Sequence, residues 1–189
     1  MNIVLIGMRG CGKSSVSRRL ALCTKRNLFS SDALISYENQ GEEISDIIEK
    51  SQGDWRVFRE LEYLVIKKIV TQSDLIIDTG GGVVVDLDDE GGEIYSERKI
   101  SLLKNNGLIF WLKGGIETLI RKTRGDVRRP PLSQNKSDEE LMENRLPFYE
   151  AAADVIVDVE GKKRKEVAVE ILQHIGKHPD FSNLDMFKL

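Results

Sequence analysis

The chain opens on an apolar run, "NIVLIG" (2–7), that leads straight into "MRGCGKSS" (8–15). The spacing Gly7-x4-Gly12-Lys13-Ser14 is that of a phosphate-binding loop between a strand and a helix. Glycines at those positions let successive backbone N–H groups turn inward around a phosphate, and the helix opening near Lys13 adds its positive dipole end. Lys13 is expected to reach the β- and γ-phosphates, and the Ser14 hydroxyl to ligate Mg²⁺. The nucleotide-binding candidates are Gly7, Arg9, Gly10, Cys11, Gly12, Lys13, Ser14 and Ser15, with Cys11 read as a small space-filler. A strand–loop–helix at the start leaves little choice of class. The chain should be α/β, with a parallel sheet.

The rest of the pattern agrees. "NIVLIG" (2–7), "LFSS" (28–31), "DLIIDT" (74–79), "GLIFWL" (107–112) and "ADVIVDV" (153–159) read as strands, near-continuously apolar as in a sheet covered on both faces. Helical patterns lie at 13–24, 43–50, 54–71, 96–105, 115–123, 137–152 and 163–175. In "DWRVFRELEYLVIKKIV", Trp55, Phe58, Leu61, Leu64 or Val65, and Ile69 fall on one stripe, and Asp54 can cap the start. Two segments break the rhythm. "DLDDEGGEIYSERK" (86–99) reads as an acidic loop leading into a helix. "TRGDVRRPPLSQNKSDEE" (123–140), basic and proline-bearing, reads as a mobile surface excursion. A single domain over 1–175 is expected, with a tail over 176–189 that could be docked or frayed.

The 189 residues carry a net charge of −3, which gives no general pull toward nucleic acid or anionic lipid. Any anion site must be local. The basic segment lacks interleaved aromatics, so nucleic acid is not expected there. The two cysteines, Cys11 and Cys23, form no metal or disulfide pattern, and no apolar stretch approaches the ~20 residues of a membrane span. A first strand beginning at Asn2 leaves no room for a leader. A cytoplasmic, monomeric protein with small-molecule partners is expected.

Three features bear on what receives the phosphate. Asp32 follows the second strand at the carboxyl edge where ligands bind in such sheets; it is read as a catalytic residue and also as an N-cap for "ALISYE". "DTGGG" (78–82) places Asp78 where P-loop enzymes hold Mg²⁺, followed by Gly80, Gly81 and Gly82, whose amides can approach a ligand closely. Arg59 in "WRVFRELE" and Arg145 in "ENRLPFYEAA" lie on helices otherwise rich in core residues, and would suit a two-handed grip on a carboxylate.

With "GMRGCGKSS", "FSSDALI", "GEEISDII", "WRVFRELE", "DTGGG", "RKTRGDVRRPPL", "NRLPFYEAAA" and "DVIVDV" in order, the chain resembles the shikimate kinase family over nearly its whole length. The resemblance implies a P-loop three-layer fold: a five-stranded parallel sheet of order 2-3-1-4-5 flanked by helices, with a mobile lid at about 123–136. It implies transfer of the ATP γ-phosphoryl, with Mg²⁺, to the 3-hydroxyl of shikimate, on the route to chorismate and aromatic amino acids. Lys13 and Ser14 would hold phosphate and Mg²⁺, and Asp32 would contact the acceptor hydroxyls as the base. Arg59, Arg145, Gly80, Gly81 and Gly82 would line the shikimate pocket. Arg129, before Pro130, would be the lid arginine over ATP.

The match departs at three places. Ser30 stands where the family has the first aspartate of a DxD, and Asp78 is expected to substitute for it at the metal. Lys122 stands where an arginine packs on adenine, so nucleotide preference should be looser. Pro131 follows Pro130 and should stiffen the lid. Two competing readings are a catalytically degraded nucleotide-binding regulatory module and a same-fold kinase for gluconate or a nucleoside monophosphate.

Overall fold

The computed structural model describes residues 1–123 and 137–181. The parallel sheet consists of β1 (Asn2–Ile6), β2 (Asn27–Ser30), β3 (Leu75–Asp78), β6 (Gly107–Lys113) and β7 (Val155–Asp158), side by side in the order β2-β3-β1-β6-β7. Counted among the parallel strands alone, this is 2-3-1-4-5, as expected. Every residue of β1 and β3 is buried, which explains their unbroken apolar runs.

The strand order decides where the helices go. The step from β1 to β2 runs one way along the sheet, and β2 to β3, β3 to β6 and β6 to β7 run the other. With right-handed crossovers the first connection must lie on the opposite face from the rest. Accordingly α1 (Lys13–Thr24) packs with α8 (Arg164–Ile175). On the other side α4 (Trp55–Ile69) packs with α5 (Glu97–Asn105), and α6 (Ile116–Thr123) with α7 (Asp138–Ala152). Both layers bury their inner faces in one apolar core.

Two elements differ from the sequence reading. Residues 31–38 form a helix, α2 (Ser31–Glu38), and its cap is Ser30 rather than Asp32: the Ser30 hydroxyl accepts from the Ala33 N–H at 3.4 Å. Asp32 sits inside the first turn. The acidic segment is not a loop but an antiparallel hairpin, β4 (Val85–Leu87) and β5 (Glu93–Tyr95). Its turn is closed by the Asp88 carboxylate, which accepts from the Glu90 and Gly92 amides at 3.0 and 2.6 Å. Three-residue strands are too short for an alternation to register. Between α2 and α4 lies α3 (Ile44–Lys50).

Of the expected lid, residues 124–136 lie outside the described residues, as do 182–189 of the tail. Before that end, a short 3₁₀ turn, Pro179–Phe181, brings Phe181 into the core at 3% exposure, with the Arg26 guanidinium 4.9 Å from its ring centroid. Truncating a buried phenylalanine costs about 3 kcal/mol or more. Phe181→Ala should therefore lower unfolding free energy by that amount in urea titration; an unchanged midpoint would show that this turn does not dock in solution.

Candidate functional site

The carboxyl ends of β1, β2 and β3 and the helix starts that follow them enclose a cavity of about 570 Å³. Its walls include Arg9, Gly10, Gly12, Lys13, Ser14 and Ser15 from the glycine loop; Asp32 from α2; Arg59 from α4; Asp78 and Gly80–Gly82 after β3; and Arg145 from α7. These residues come from separate stretches of chain. The fold brings them to one place.

At one end the loop turns through positive φ at Gly7, Gly10 and Gly12 (147°, 82° and 97°). Helix α1 begins with no side-chain cap and no acidic residue in its first turn. By contrast α7 carries a full capping box from Ser137 and Glu140, and α4 is capped by Asp54. An uncapped helix start with inward amides is an anion cradle. Lys13, 8% exposed, folds back so that Nζ donates to the carbonyls of Gly7 (2.6 Å) and Met8 (3.3 Å). Cys11 is wholly buried beneath the loop, consistent with a filler. Lys122, on the last turn of α6, lies against Gly10. Arg129 lies outside the described residues.

A divalent cation fits beside this cradle. Ser30 and Asp78 are register partners at the ends of β2 and β3. Among the described residues the Oδ1 of buried Asp78 has no hydrogen-bond partner, and Lys13, Ser14, Ser17 and Arg18 act on its carboxyl. Burial pushes its carboxyl up, and those neighbours oppose the shift. Among the described residues no three His, Cys, Asp or Glu side chains gather around a point. One carboxylate and one hydroxyl, completed by phosphates and water, is the donor set that Mg²⁺ takes.

At the other end the charges are tightly paired. Glu62, 0% exposed, accepts from Arg59 Nη1 at 3.1 Å and from Lys99 Nζ at 2.7 Å on the same oxygen. Lys99, also fully buried, donates to the Val85 carbonyl at 2.6 Å. Burial alone would push the Glu62 carboxyl up, but the Lys99 and Arg59 cations outweigh it and hold it below its ordinary range. Among the described residues Arg59 Nε has no partner, and its guanidinium rests where a Cβ on Gly82 would sit, 2.6 Å from Nη2. Gly80 gives Asp32 the same room: a Cβ there would meet Oδ1 at 2.5 Å. Asp32 is half-buried, and its carboxyl is pushed up to about 6 by desolvation first, then by Glu62 and Asp78, against the pull of Lys13. Arg145, 3% exposed, is gripped by Glu93 through Nε (2.9 Å) and Nη2.

Sequence reasoning passed over several residues here. Glu62 and Arg59 both sit on the buried stripe of α4, with Phe58, Val65, Ile66 and Ile69, whereas Leu64 is 42% exposed. Charges at core positions were the available signal for Glu62. Tyr149 donates to the Gly81 carbonyl and stacks on Trp111, fixing the glycine turn from α7. Ser31 accepts from the Gly80 amide at 2.9 Å, which commits that N–H to the protein. Arg164, at the start of α8, fills the space that a Cβ on Gly12 would occupy. Nothing local in the sequence marks it.

The fold and this divided cavity define a P-loop phosphotransferase of the nucleoside-monophosphate-kinase-like class. A family model described as shikimate kinase matches residues 9–176. Shikimate kinase from Leptospira borgpetersenii is 41% identical over 174 residues, 92% of this chain and 97% of that one. The one from Dehalococcoides mccartyi is 33% identical over 96% of this chain and 97% of its own. The solved shikimate kinase from Acinetobacter baumannii, in complex with shikimate, superposes with a TM-score of 0.78 at 29% identity, covering 92% of each chain. A gluconokinase from Sinorhizobium meliloti, at 17% identity and a TM-score of 0.57, shares the fold alone. The chain belongs to the shikimate kinase family.

Removing one member of a buried ion pair leaves its partner charged and desolvated, at a cost of about 3–5 kcal/mol. Since Glu62 keeps Arg59, Lys99→Met should destabilise by about 3 kcal/mol in denaturant titration. A midpoint within error of wild type would show that the Glu62–Lys99 pair contributes no net stability.

Proposed function

We propose that this chain is an ATP- and Mg²⁺-dependent kinase that phosphorylates the 3-hydroxyl of shikimate, giving shikimate 3-phosphate and ADP. One observation carries the reading: two buried guanidinium groups, Arg59 and Arg145, border the same cavity as the phosphate cradle, with the Asp32 carboxylate lining it as well. A small hydroxy acid moored at one end can present its alcohol to a γ-phosphate held at the other. The family match and the shikimate named for the Acinetobacter enzyme support that acid.

Each residue then has a task. The loop amides and the start of α1 hold the β- and γ-phosphates, and Lys13 exchanges its two loop carbonyls for phosphate oxygens. Lys122 and Arg9 border the nucleotide. Ser14 and Asp78 would hold Mg²⁺, which supplies charge neutralisation on the phosphates. Arg59, with its unpartnered Nε, and Arg145 take the acid's carboxylate, and Gly82 makes room for the Arg59 guanidinium. Asp32 accepts the proton of the 3-hydroxyl as its oxygen bonds to the γ-phosphorus and the bond from that phosphorus to the bridging oxygen of ADP breaks. Desolvation and the Glu62 and Asp78 carboxylates raise the Asp32 carboxyl to about 6, so the base is poised near the working pH. Asp32, Asp78 and both arginines are in place, which disfavours the degraded regulatory module. A buried pair of cations suits an anionic acceptor, and the family match and the shikimate named for the Acinetobacter enzyme favour that acid over gluconate or a nucleoside monophosphate.

The test is coupled ADP release over shikimate, quinate, gluconate and nucleoside monophosphates. Shikimate should give the highest kcat/KM; a higher value for gluconate or a nucleotide would replace the assignment. The Asp32 carboxylate accepts a proton only above its own pKa. For the free enzyme, kcat/KM for shikimate should therefore fall tenfold per pH unit below about pH 6. Asp32→Asn should lose about 10²–10⁴ in rate together with that acidic limb. If the limb survives in the variant, another group is the base. Asp78→Asn should raise the Mg²⁺ concentration needed for half-maximal rate, and an unchanged Mg²⁺ titration would remove Asp78 from the metal.

A further inference from the structure

The β4–β5 hairpin reaches the acceptor end of the cavity through one side chain. Glu93, at the start of β5, places its two carboxylate oxygens on Nε and Nη2 of Arg145, the side-on edge of the guanidinium. The pair is shielded, with Glu93 at 15% and Arg145 at 3% exposure. A planar fork gripped on that edge cannot turn about its own axis. What remains for a ligand is the other edge, Nη1 and the outer hydrogen of Nη2. Arg59 is arranged in the complementary way: Glu62 holds its Nη1, and among the described residues its Nε has no partner.

A carboxylate so placed could act in two opposed ways. It could compete with the ligand for Arg145 and withdraw when the ligand arrives, or it could stay and hold the guanidinium in position. The anchoring of the hairpin decides between them. Arg56 of α4 donates to the carbonyls of Asp88 and Asp89 in its turn, at 3.0 and 2.7 Å. Asp86 on β4 accepts from Ser96 at 2.6 Å and from Arg98 at 2.9 and 3.0 Å. Lys99 holds the Val85 carbonyl. Tyr95, two residues beyond Glu93, packs on Phe148 of α7 with ring centroids 6.0 Å apart, so the hairpin and the helix bearing Arg145 touch at a second point. A strand pinned at its turn, at both flanks and against α7 has no inexpensive route outward.

We propose that Glu93 is a positioning residue for acceptor binding: it stays on Arg145 throughout, fixes the guanidinium plane, and presents only its free edge to the acid's carboxylate. With Arg145 matched by Glu93, and Glu62 shared by Arg59 and Lys99, the corner offers modest net positive charge and suits a single carboxylate. The proposal rests on the assignment of Arg145 to that carboxylate, so its test must separate the two.

Steady-state kinetics with shikimate and ATP on wild type, Arg145→Ala, Glu93→Gln and Glu93→Asp does so, with thermal unfolding of each. Arg145→Ala reports on the underlying assignment and should raise the shikimate KM. Glu93→Gln keeps the shape but loosens the grip; the shikimate KM should rise about tenfold, the worth of a charged hydrogen bond, while kcat and the ATP KM stay within about twofold. Glu93→Asp keeps the charge one methylene short, folds if Gln does not, and should give an intermediate KM. A raised KM for Arg145→Ala beside an unchanged or lowered KM in both Glu93 variants overturns this inference alone, a lowered one identifying Glu93 as a competitor. A fall in kcat at constant KM overturns it too. An unchanged KM in Arg145→Ala overturns the carboxylate assignment and this inference with it.

Discussion

The acceptor half of this molecule depends on one carboxylate that water does not reach. Glu62 lies on the buried stripe of α4 and takes Arg59 and Lys99 on a single oxygen, while its Oε1 has no partner among the described residues. Burying three ionised groups is costly unless each is neutralised in good geometry. That requirement couples the elements: α4 supplies the acid, α5 reaches in with Lys99, and the same ammonium holds β4 at Val85. Arg59 is thereby pressed against Gly82, and among the described residues its Nε has no partner. Glu62 also helps push the Asp32 carboxyl upward. One buried charge thus orients a cation, raises the Asp32 carboxyl and ties a hairpin to the sheet.

The two ends of the cavity use different chemistry for related tasks. In the proposed assignment the cradle at α1 would bind anions with backbone, which calls for glycines and an empty helix start, and Lys13 is held on loop carbonyls. The acceptor end would bind anions with side chains, which calls for guanidinium groups held by second carboxylates: Glu62 on Arg59 and Glu93 on Arg145. Backbone amides cannot rotate away, whereas a long arginine can. Each arginine therefore arrives with its own clamp. The extra polar atoms are the structural consequence of preferring side chains there.

How much of this could be read from the sequence follows from the range of the interactions. The glycine loop and the five parallel strands announce themselves locally, through Gly7-x4-Gly12-Lys13-Ser14 and unbroken apolar runs, and the crossover rule then places the helices. Arg59 and Arg145 were visible as charges among core residues. Glu62 carried the same signal three residues from Arg59 and was hidden only because "RELE" also reads as an exposed polar face. Glu93 and Arg145 are 52 residues apart, and the hairpin that joins them is too short for its alternation to show. Arg164 meets Gly12 only because α8 returns to the face of α1. Contacts set by the crossing of distant elements leave no periodic trace.

Ser30 shows how a departure from a family pattern acquires a physical reason once its neighbours are known. Its hydroxyl caps α2, which sets Asp32 in the first turn and carries Ser31 to the Gly80 amide. Asp32 already carries a carboxyl raised to about 6 by burial and by the Glu62 and Asp78 carboxylates. A further carboxylate at position 30, in register with Asp78, would add a like charge to this group and push these pKa values higher still. Serine performs the capping without that charge, since a hydroxyl and a carboxylate serve almost equally at an N-cap. In the proposed assignment the anionic duty at the strand ends would fall on Asp78, whose Oδ1 has no partner among the described residues. Seen this way, the exchange of aspartate for serine shifts charge from β2 to β3 and keeps Asp32 able to ionise near neutral pH.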